Sequence, residues 1–311
     1  MTETTMNIEN AHPLDKWVTP EIAARNDRIE IRPVALEIKQ LHKSFEHKGK
    51  VNKVLNGIDF TTHKREFICV VGPSGCGKST LARLVAGLEQ KESGHILVEG
   101  KEVTEPGPDR GMVFQSYSLF PWMSVKQNVM FGLTQAGMAR NIAEAEALQW
   151  IDLVGLSKFV DAYPHQLSGG MKQRVAIIRA LANQPKILLM DEPFAALDPK
   201  NRLKMQQYLL EIWRNIDITI FFITHDLDEA IYLADRILVL DANPGRVKEV
   251  VKVPLPRPRV DDTLLTEEFL ATKAYLESLV HPPETEDEES MEDKLSMVRM
   301  VPVNAEVPDI Y

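Results

Sequence analysis

The chain has 311 residues, of which 44% are hydrophobic and 26% charged, a balance expected of one large globular domain with appendages or of two small domains. No run of 18 apolar residues occurs, so no membrane-spanning helix is expected, and the start MTETTMNIENAHPLDKW lacks the basic and apolar regions of a secretory signal. The formal net charge is −9, and seven acidic residues between Glu284 and Asp293 account for all but −2 of it, so the rest of the chain lacks the basic footprint of a nucleic-acid binder.

Residues 1–33 carry scattered charges and no sustained periodicity. They are expected to form a flexible N-terminal extension, with a short helix near Pro20–Arg28. From Val34 the pattern changes. LEIKQLHKSF and KVLNGIDFTTH alternate apolar and polar residues like strands, and FICVV (67–71) is a continuous apolar run of the kind buried on both faces of a parallel sheet. GPSGCGKST follows, then LARLVAGL with helical spacing and a stop at Gly87. HILVEG reads as a further strand. From about Trp122 to Tyr163 the text is helical, with Ala147, Trp150, Ile151 and Val154 on one face of EAEALQWIDLVGL. Strands ILLM, ITIFFIT and RILVL then alternate with helices MKQRVAIIRALA, RLKMQQYLLEIWRN and LDEAIYLA, which implies a parallel sheet covered on both sides. A turn and strand follow in DANPGRVKEVVKVPLPRPR, then a helix in TEEFLATKAYLESLV and an acidic tail expected to be a solvated, disordered end. The only cysteines, Cys69 and Cys76, sit in the apolar run and the glycine-rich loop, so a reducing compartment is expected rather than a disulfide framework.

Three segments carry chemistry. Gly72-Pro73-Ser74-Gly75-Cys76-Gly77-Lys78-Ser79, followed by Thr80, fits G-x-x-x-x-G-K-[ST] between a strand and a helix. Its glycines let backbone N–H groups turn toward phosphate oxygens, and the helix N-terminus adds partial positive charge. Lys78 would reach the β- and γ-phosphates and Ser79 would ligate Mg²⁺. Asp191 and Glu192 end a buried strand, which places them at the carboxyl edge of the sheet beside that loop. There Asp191 can hold Mg²⁺ through water and Glu192 can polarise an attacking water, or the pair can simply cap the following turn. In LSGGMKQR, Ser168 can be a helix N-cap. Yet Gly169 and Gly170 each cost about 1 kcal/mol in a first helical turn relative to Ala, and bare N–H groups there form a second anion site.

These motifs resemble the ABC ATPase family. LSGGMKQR looks like its signature motif, and GPSGCGKST, ILLMDE, Gln115 in VFQ, Ala196-Leu197-Asp198 and His225 in THD match its other elements in order, over about residues 34–260. The resemblance implies an α/β fold: a P-loop ABC ATPase domain with a mainly parallel sheet core, an antiparallel β subdomain and a helical insert carrying the signature motif. The expected organisation is an extension over 1–33, the ATPase domain over 34–260 with its insert at about 120–170, a C-terminal helix over 261–281 and the acidic tail over 282–311. The resemblance further implies a head-to-tail homodimer in which two ATP molecules and Mg²⁺ lie between subunits, each Lys78 loop facing the partner's Ser168–Gly170. Gln115 would touch Mg²⁺ and the attacking water, His225 the γ-phosphate, and Asp198 would lie across the interface. Phe45 would stack on adenine where the family usually has tyrosine, or be a plain core aromatic.

Phe120, Trp122, Met123 and Val125 are too apolar for an ordinary exposed loop. They either pack locally against the helical insert or line a partly exposed groove for a short helix of a membrane subunit. Phe-Pro-Trp with NVMFGL, and Asn243-Pro-Gly-Arg246 with Pro254–Arg259, resemble the nitrate/sulfonate/taurine class of importer ATPases. That resemblance implies ATP hydrolysis coupled to uptake of a small polar solute. Its partners would be two transmembrane permease subunits and an extracytoplasmic solute-binding protein, with no nucleic acid, and its place the cytoplasmic face of the inner membrane. A soluble non-transport ABC ATPase and an exporter motor are the alternatives.

Overall fold

A computed structural model describes residues 12–282. The expected flexibility of residues 1–11 and disorder of the acidic tail from residue 283 onward lie outside the described residues. Alternating residues form a long hairpin, β1 (Val34–His47) and β2 (Lys50–His63), with Leu36, Ile38, Leu41, Leu55, Ile58 and Phe60 buried. It joins β4 (Ser93–Val98) and β5 (Lys101–Glu102) in an antiparallel sheet of order β2-β1-β4-β5.

The larger sheet holds β3 (Phe67–Val71), β6 (Arg110–Val113), β7 (Ile187–Asp191), β8 (Thr219–Ile223), β9 (Arg236–Asp241) and β10 (Arg246–Lys252) in the order β10-β9-β3-β8-β7-β6. All its pairings are parallel except that of β10 with β9. Every residue of β3, β7 and β8 is buried. Alternate side chains serve opposite faces: Phe67, Cys69 and Val71 join one core, Ile68 and Val70 the other, and β7 and β8 divide likewise. This two-sided burial is why these strands read as unbroken apolar runs.

Helix α2 (Lys78–Ala86) and the antiparallel sheet cover one face. On the other lie α5 (Gly169–Leu181), α6 (Pro199–Asn215), α7 (Leu227–Leu233) and α8 (Glu267–Val280). Helices α3 (Val125–Gln135) and α4 (Arg140–Leu153) form the insert, whose separate core includes Val129, Ala143, Ala147 and Ile151. Helix α5 belongs to both bodies: Ala176, Ile177 and Leu181 face the sheet core, Val175 and Ile178 the insert.

One sequence expectation changes in part, and one strand was not expected. Residues 12–33 were expected as a flexible extension with a short helix near Pro20–Arg28. That helix is present as α1 (Pro20–Glu30), N-capped by the Thr19 hydroxyl, which accepts from the Ile22 amide at 3.3 Å, but the segment is packed rather than free. Leu14, Ile22 and Ile29 are buried, and Arg25 donates to the carbonyls of Leu255 at 2.7 Å and Val253 at 3.0 Å. With only Ile22 and Ile29 buried in α1, the helix shows little periodicity, and long-range bonds hold it. Second, β6 escapes pattern reading: RGMV is four residues long and contains a glycine, too short to show alternation.

Candidate active site

Parallel strands deliver their carboxyl ends to one edge of the sheet. That edge gathers the loop after β3, Gln115 after β6, Asp191 and Glu192 at the end of β7, and His225 after β8. A cleft of about 580 Å³ lies there, lined by Val54, Ser74, Gly75, Gly77, Lys78, Ser79, Thr80, Glu192 and His225. Helix α2 starts at Lys78, and its cap, Gly77, supplies no side-chain hydrogen bond. Its first-turn N–H groups therefore face the cleft without a capping acceptor, as an anion site requires. Gly77 has φ +96°, and a Cβ there would lie 2.6 Å from Leu55 Cδ2 and 3.0 Å from Val54 Cγ1. Only glycine can turn the chain so tightly against β2.

Lys78 is 7% exposed, and its ammonium donates to the carbonyls of Gly72 at 2.7 Å and Pro73 at 3.0 Å. These loop carbonyls hold the cation at the cleft. The Cys76 thiol is turned into the core 3.8 Å from Lys78 Nζ, and burial pushes its pKa up. It does not line the cleft. Ser79 Oγ donates to Asp191 Oδ1 at 2.8 Å. Burial raises the Asp191 pKa, and the Glu192 charge adds to this while the Ser79 bond opposes it.

Glu192 stands at φ +45° with its amide bonded to Ile223 O at 3.0 Å. This turn aims its carboxylate across the cleft, where Oε2 lies 3.1 Å from His225 Nδ1 and accepts from Gln115 Nε2 at 3.3 Å. Gln115 and His225, 77 and 33 positions from Glu192 in the chain, thus converge on one of its oxygens. The hydroxyl, carboxylate and amide of Ser79, Asp191 and Gln115 are the hard oxygen donors that suit Mg²⁺. Among the described residues no cluster of three His, Cys, Asp or Glu could hold a metal alone. An ion here would therefore need phosphate oxygens as further ligands.

The remaining candidates lie apart. Phe45 is half-exposed on β1 beneath the Lys43 ammonium, 4.5 Å from its ring centre, and does not line the cleft. Ser168 N-caps α5, accepting from the Met171 amide at 3.4 Å, and neither it nor Gly169 and Gly170 lines the Lys78 cleft. A Cβ on Gly170 would meet nothing within 4 Å, so nothing inside this chain requires a glycine there. Asp198 N-caps α6 and accepts from the Asn201 amide at 3.1 Å and its side chain at 2.6 Å, bonds that lower its pKa.

The family model described as ABC transporter matches residues 55–195. An ABC transporter ATP-binding protein of Methanocaldococcus jannaschii is 52% identical over 235 residues, 76% of this chain and 87% of that protein. The chain belongs to the ABC transporter ATP-binding family. The nitrate import ATP-binding protein of Synechocystis sp. is 46% identical over 262 residues, covering 82% of this chain and 98% of that one. Among solved structures, a dimeric post-hydrolysis state of an ATP-binding cassette with ADP and Pi bound matches with a TM-score of 0.63. It shares 29% identity over 70% of this chain and 98% of that chain.

For this ABC transporter chain, the loop and strand-end acids expected from the motifs come together at one cleft. Motif reading missed Val54, which lines the cleft beside Gly77. Its only sequence signal is its place in β2, which pattern alone does not aim at the loop. The apolar stretch after Gln115 divides. Val125 is core, 1% exposed, whereas Trp122 is 69% exposed. Trp122 and Met123 line a groove of about 750 Å³ with Met130, Phe131 and Met138, rimmed by Lys126, Arg140, Glu144 and Asp161. Asn128 fixes the loop there, accepting from Phe120 N at 2.9 Å and donating to Met123 O at 3.0 Å.

Proposed function

We propose that this ATP-binding subunit hydrolyses Mg-ATP in a homodimer and drives an importer for a small polar solute of the nitrate/sulfonate/taurine class. One observation carries the dimeric site. The Lys78 cleft lacks Ser168–Gly170, while that glycine-bearing helix start opens onto free space at Gly170. A second copy of the chain supplies the missing half when its α5 start closes over the cleft. The dimeric, ADP- and Pi-bound cassette described above supports this reading.

In this reading the α2 N-terminus, the loop from Gly72 to Thr80 and Lys78 grip the phosphates. Lys78 exchanges the carbonyls of Gly72 and Pro73 for phosphate oxygens. Ser79, Asp191 and Gln115 would hold Mg²⁺, which would neutralise phosphate charge. Glu192 orients and polarises the attacking water, and His225, 3.1 Å from it, reaches the γ-phosphate. Phe45 offers an exposed ring to the adenine, and Asp198 faces the partner subunit. Closure excludes water and completes the charge-stabilising shell, so hydrolysis follows association.

In this reading the ATPase domain spans 34–260 and a C-terminal helix 261–281. No helix among the described residues is long and apolar enough to cross a membrane, so other chains provide the passage. In each copy of the chain, the groove under Trp122 takes a short helix from one of two permease subunits. That docking keeps the ATPase at the cytoplasmic face of the membrane, and an extracytoplasmic protein selects the solute. The import function of the Synechocystis relative favours import over export or a soluble role. Co-purification tests this: the chain should be recovered with two membrane permeases. Trp122→Asp should release them without lowering basal ATPase activity. Recovery with ribosomes or DNA and no membrane protein would refute the importer reading.

A further inference from the structure

Arg202 occupies the first turn of α6, its amide bonded to Asp198 O at 2.8 Å. Its guanidinium spans two elements. Nη2 donates to the carbonyl of Leu197, the residue before Asp198, at 3.2 Å, and Nη1 donates to Asp226 Oδ2 at 2.9 Å. Asp226 directly follows His225. Its other oxygen caps α7 by accepting from Glu229 N at 3.1 Å, and its own amide donates to Thr224 Oγ1 at 3.0 Å. The turn 224–226 is therefore closed by its own Thr224–Asp226 bond and held from outside by Arg202 and the Glu229 amide, and it sets His225 Nδ1 3.1 Å from Glu192 Oε2. One turn further along α6, Gln206 Nε2 donates to the buried Glu229 Oε1 at 3.0 Å. Two successive struts thus clamp α6 to α7.

We propose that Arg202 is a positioning residue that transmits the placement of the Asp198 loop to His225, through its bridge from Leu197 O to Asp226. The inference rests on the composite-site reading above, in which Asp198 faces the partner. Closure of the partner against Asp198 moves the start of α6. Arg202 carries that displacement to the His225 turn, so the two active sites of a dimer sense each other. The fork geometry is needed because one side chain must donate to a carbonyl and a carboxylate lying in different directions. The ion pair is sheltered, the two side chains being 28% and 29% exposed.

The test uses the full chain, measuring phosphate release against ATP concentration together with thermal melting. Arg202→Met should lower kcat about tenfold or more, as small misplacements of catalytic groups do. Half-saturating ATP and melting temperature should stay near native, and the ATP-dependence should lose its cooperativity. Asp226→Asn, which keeps the α7 cap, should show the same pattern, and the double variant should be no worse than either single one. Arg202→Lys should recover part of kcat. In a Glu192→Gln background, Arg202→Met should still dimerise with ATP. Native kcat in Arg202→Met, or losses that multiply in the double variant, would overturn the proposal. So would a purely structural pattern of lowered melting temperature and lost dimerisation. Failure of Glu192→Gln alone to dimerise would instead sink the composite-site reading.

Discussion

Replacing Glu192 by Gln isolates one charge. The carboxamide is isosteric, and its oxygen can occupy the Oε2 position, where it still faces Gln115 Nε2 and His225 Nδ1. The backbone turn at φ +45° and the amide bond to Ile223 O need no adjustment. What disappears is the negative charge that polarises water. General-base assistance contributes roughly 10²–10⁴ in rate, about 2.7–5.4 kcal/mol at about 1.36 kcal/mol per tenfold. Turnover should therefore fall to about 1% of native or less. Nucleotide affinity should not fall with it. The Glu192 carboxylate repels the like charge of a bound phosphate, and its removal favours ATP. Phosphate release measures the first effect, and sizing with Mg-ATP measures the second as a shift from monomer to stable dimer. A turnover within about threefold of native, or elution as monomer at saturating ATP, would refute the assignment of Glu192.

Lys78→Ala removes a cation placed by the loop's own carbonyls and should abolish ATP binding or turnover, read by fluorescent-nucleotide titration; unchanged turnover would remove Lys78 from the mechanism. Asp235→Ala tests the scaffold beneath the site. Asp235 is 1% exposed, accepts from Arg257 Nε at 2.8 Å and from the Phe67 amide at 3.0 Å, and its loss leaves the half-buried Arg257 guanidinium without its carboxylate and the Phe67 amide without its acceptor. The cost should be about 3–5 kcal/mol in denaturant melts, and a loss below about 1 kcal/mol would contradict it. Burial alone would raise the Asp235 pKa, but Arg257, Arg25 and the Phe67 amide outweigh it and hold it below the ordinary value. Its stabilisation is therefore complete above about pH 3.9 and is lost as pH falls through the lower folded value. Asp235→Asn should lack that part of the acid slope.

The strands of the larger sheet were legible where burial on both faces leaves an unbroken apolar run, as in FICVV and TIFFI. The phosphate loop was legible because its glycines and Lys78 serve one local turn. β6 was not, being four residues long, and neither was the packing of α1, whose holding bonds from Arg25 span about 230 positions. The convergence of Gln115 and His225 on Glu192, and the Arg202 bridge to Asp226, depend on which loops the sheet order brings together. No periodicity encodes that order. Trp122 and Val125 both read as apolar in sequence, yet one lines a groove and the other fills a core, because Trp122 lies in the turn before the Ser124 cap whereas Val125 opens α3 on its buried face.

The structure of the Glu192→Gln variant with Mg-ATP measures the composite site most directly. In a closed dimer, Ser168 Oγ of one protomer should lie within hydrogen-bond distance of the γ-phosphate held by the other protomer's Lys78 loop. A closed, nucleotide-filled assembly with Ser168 far from both γ-phosphates would contradict it.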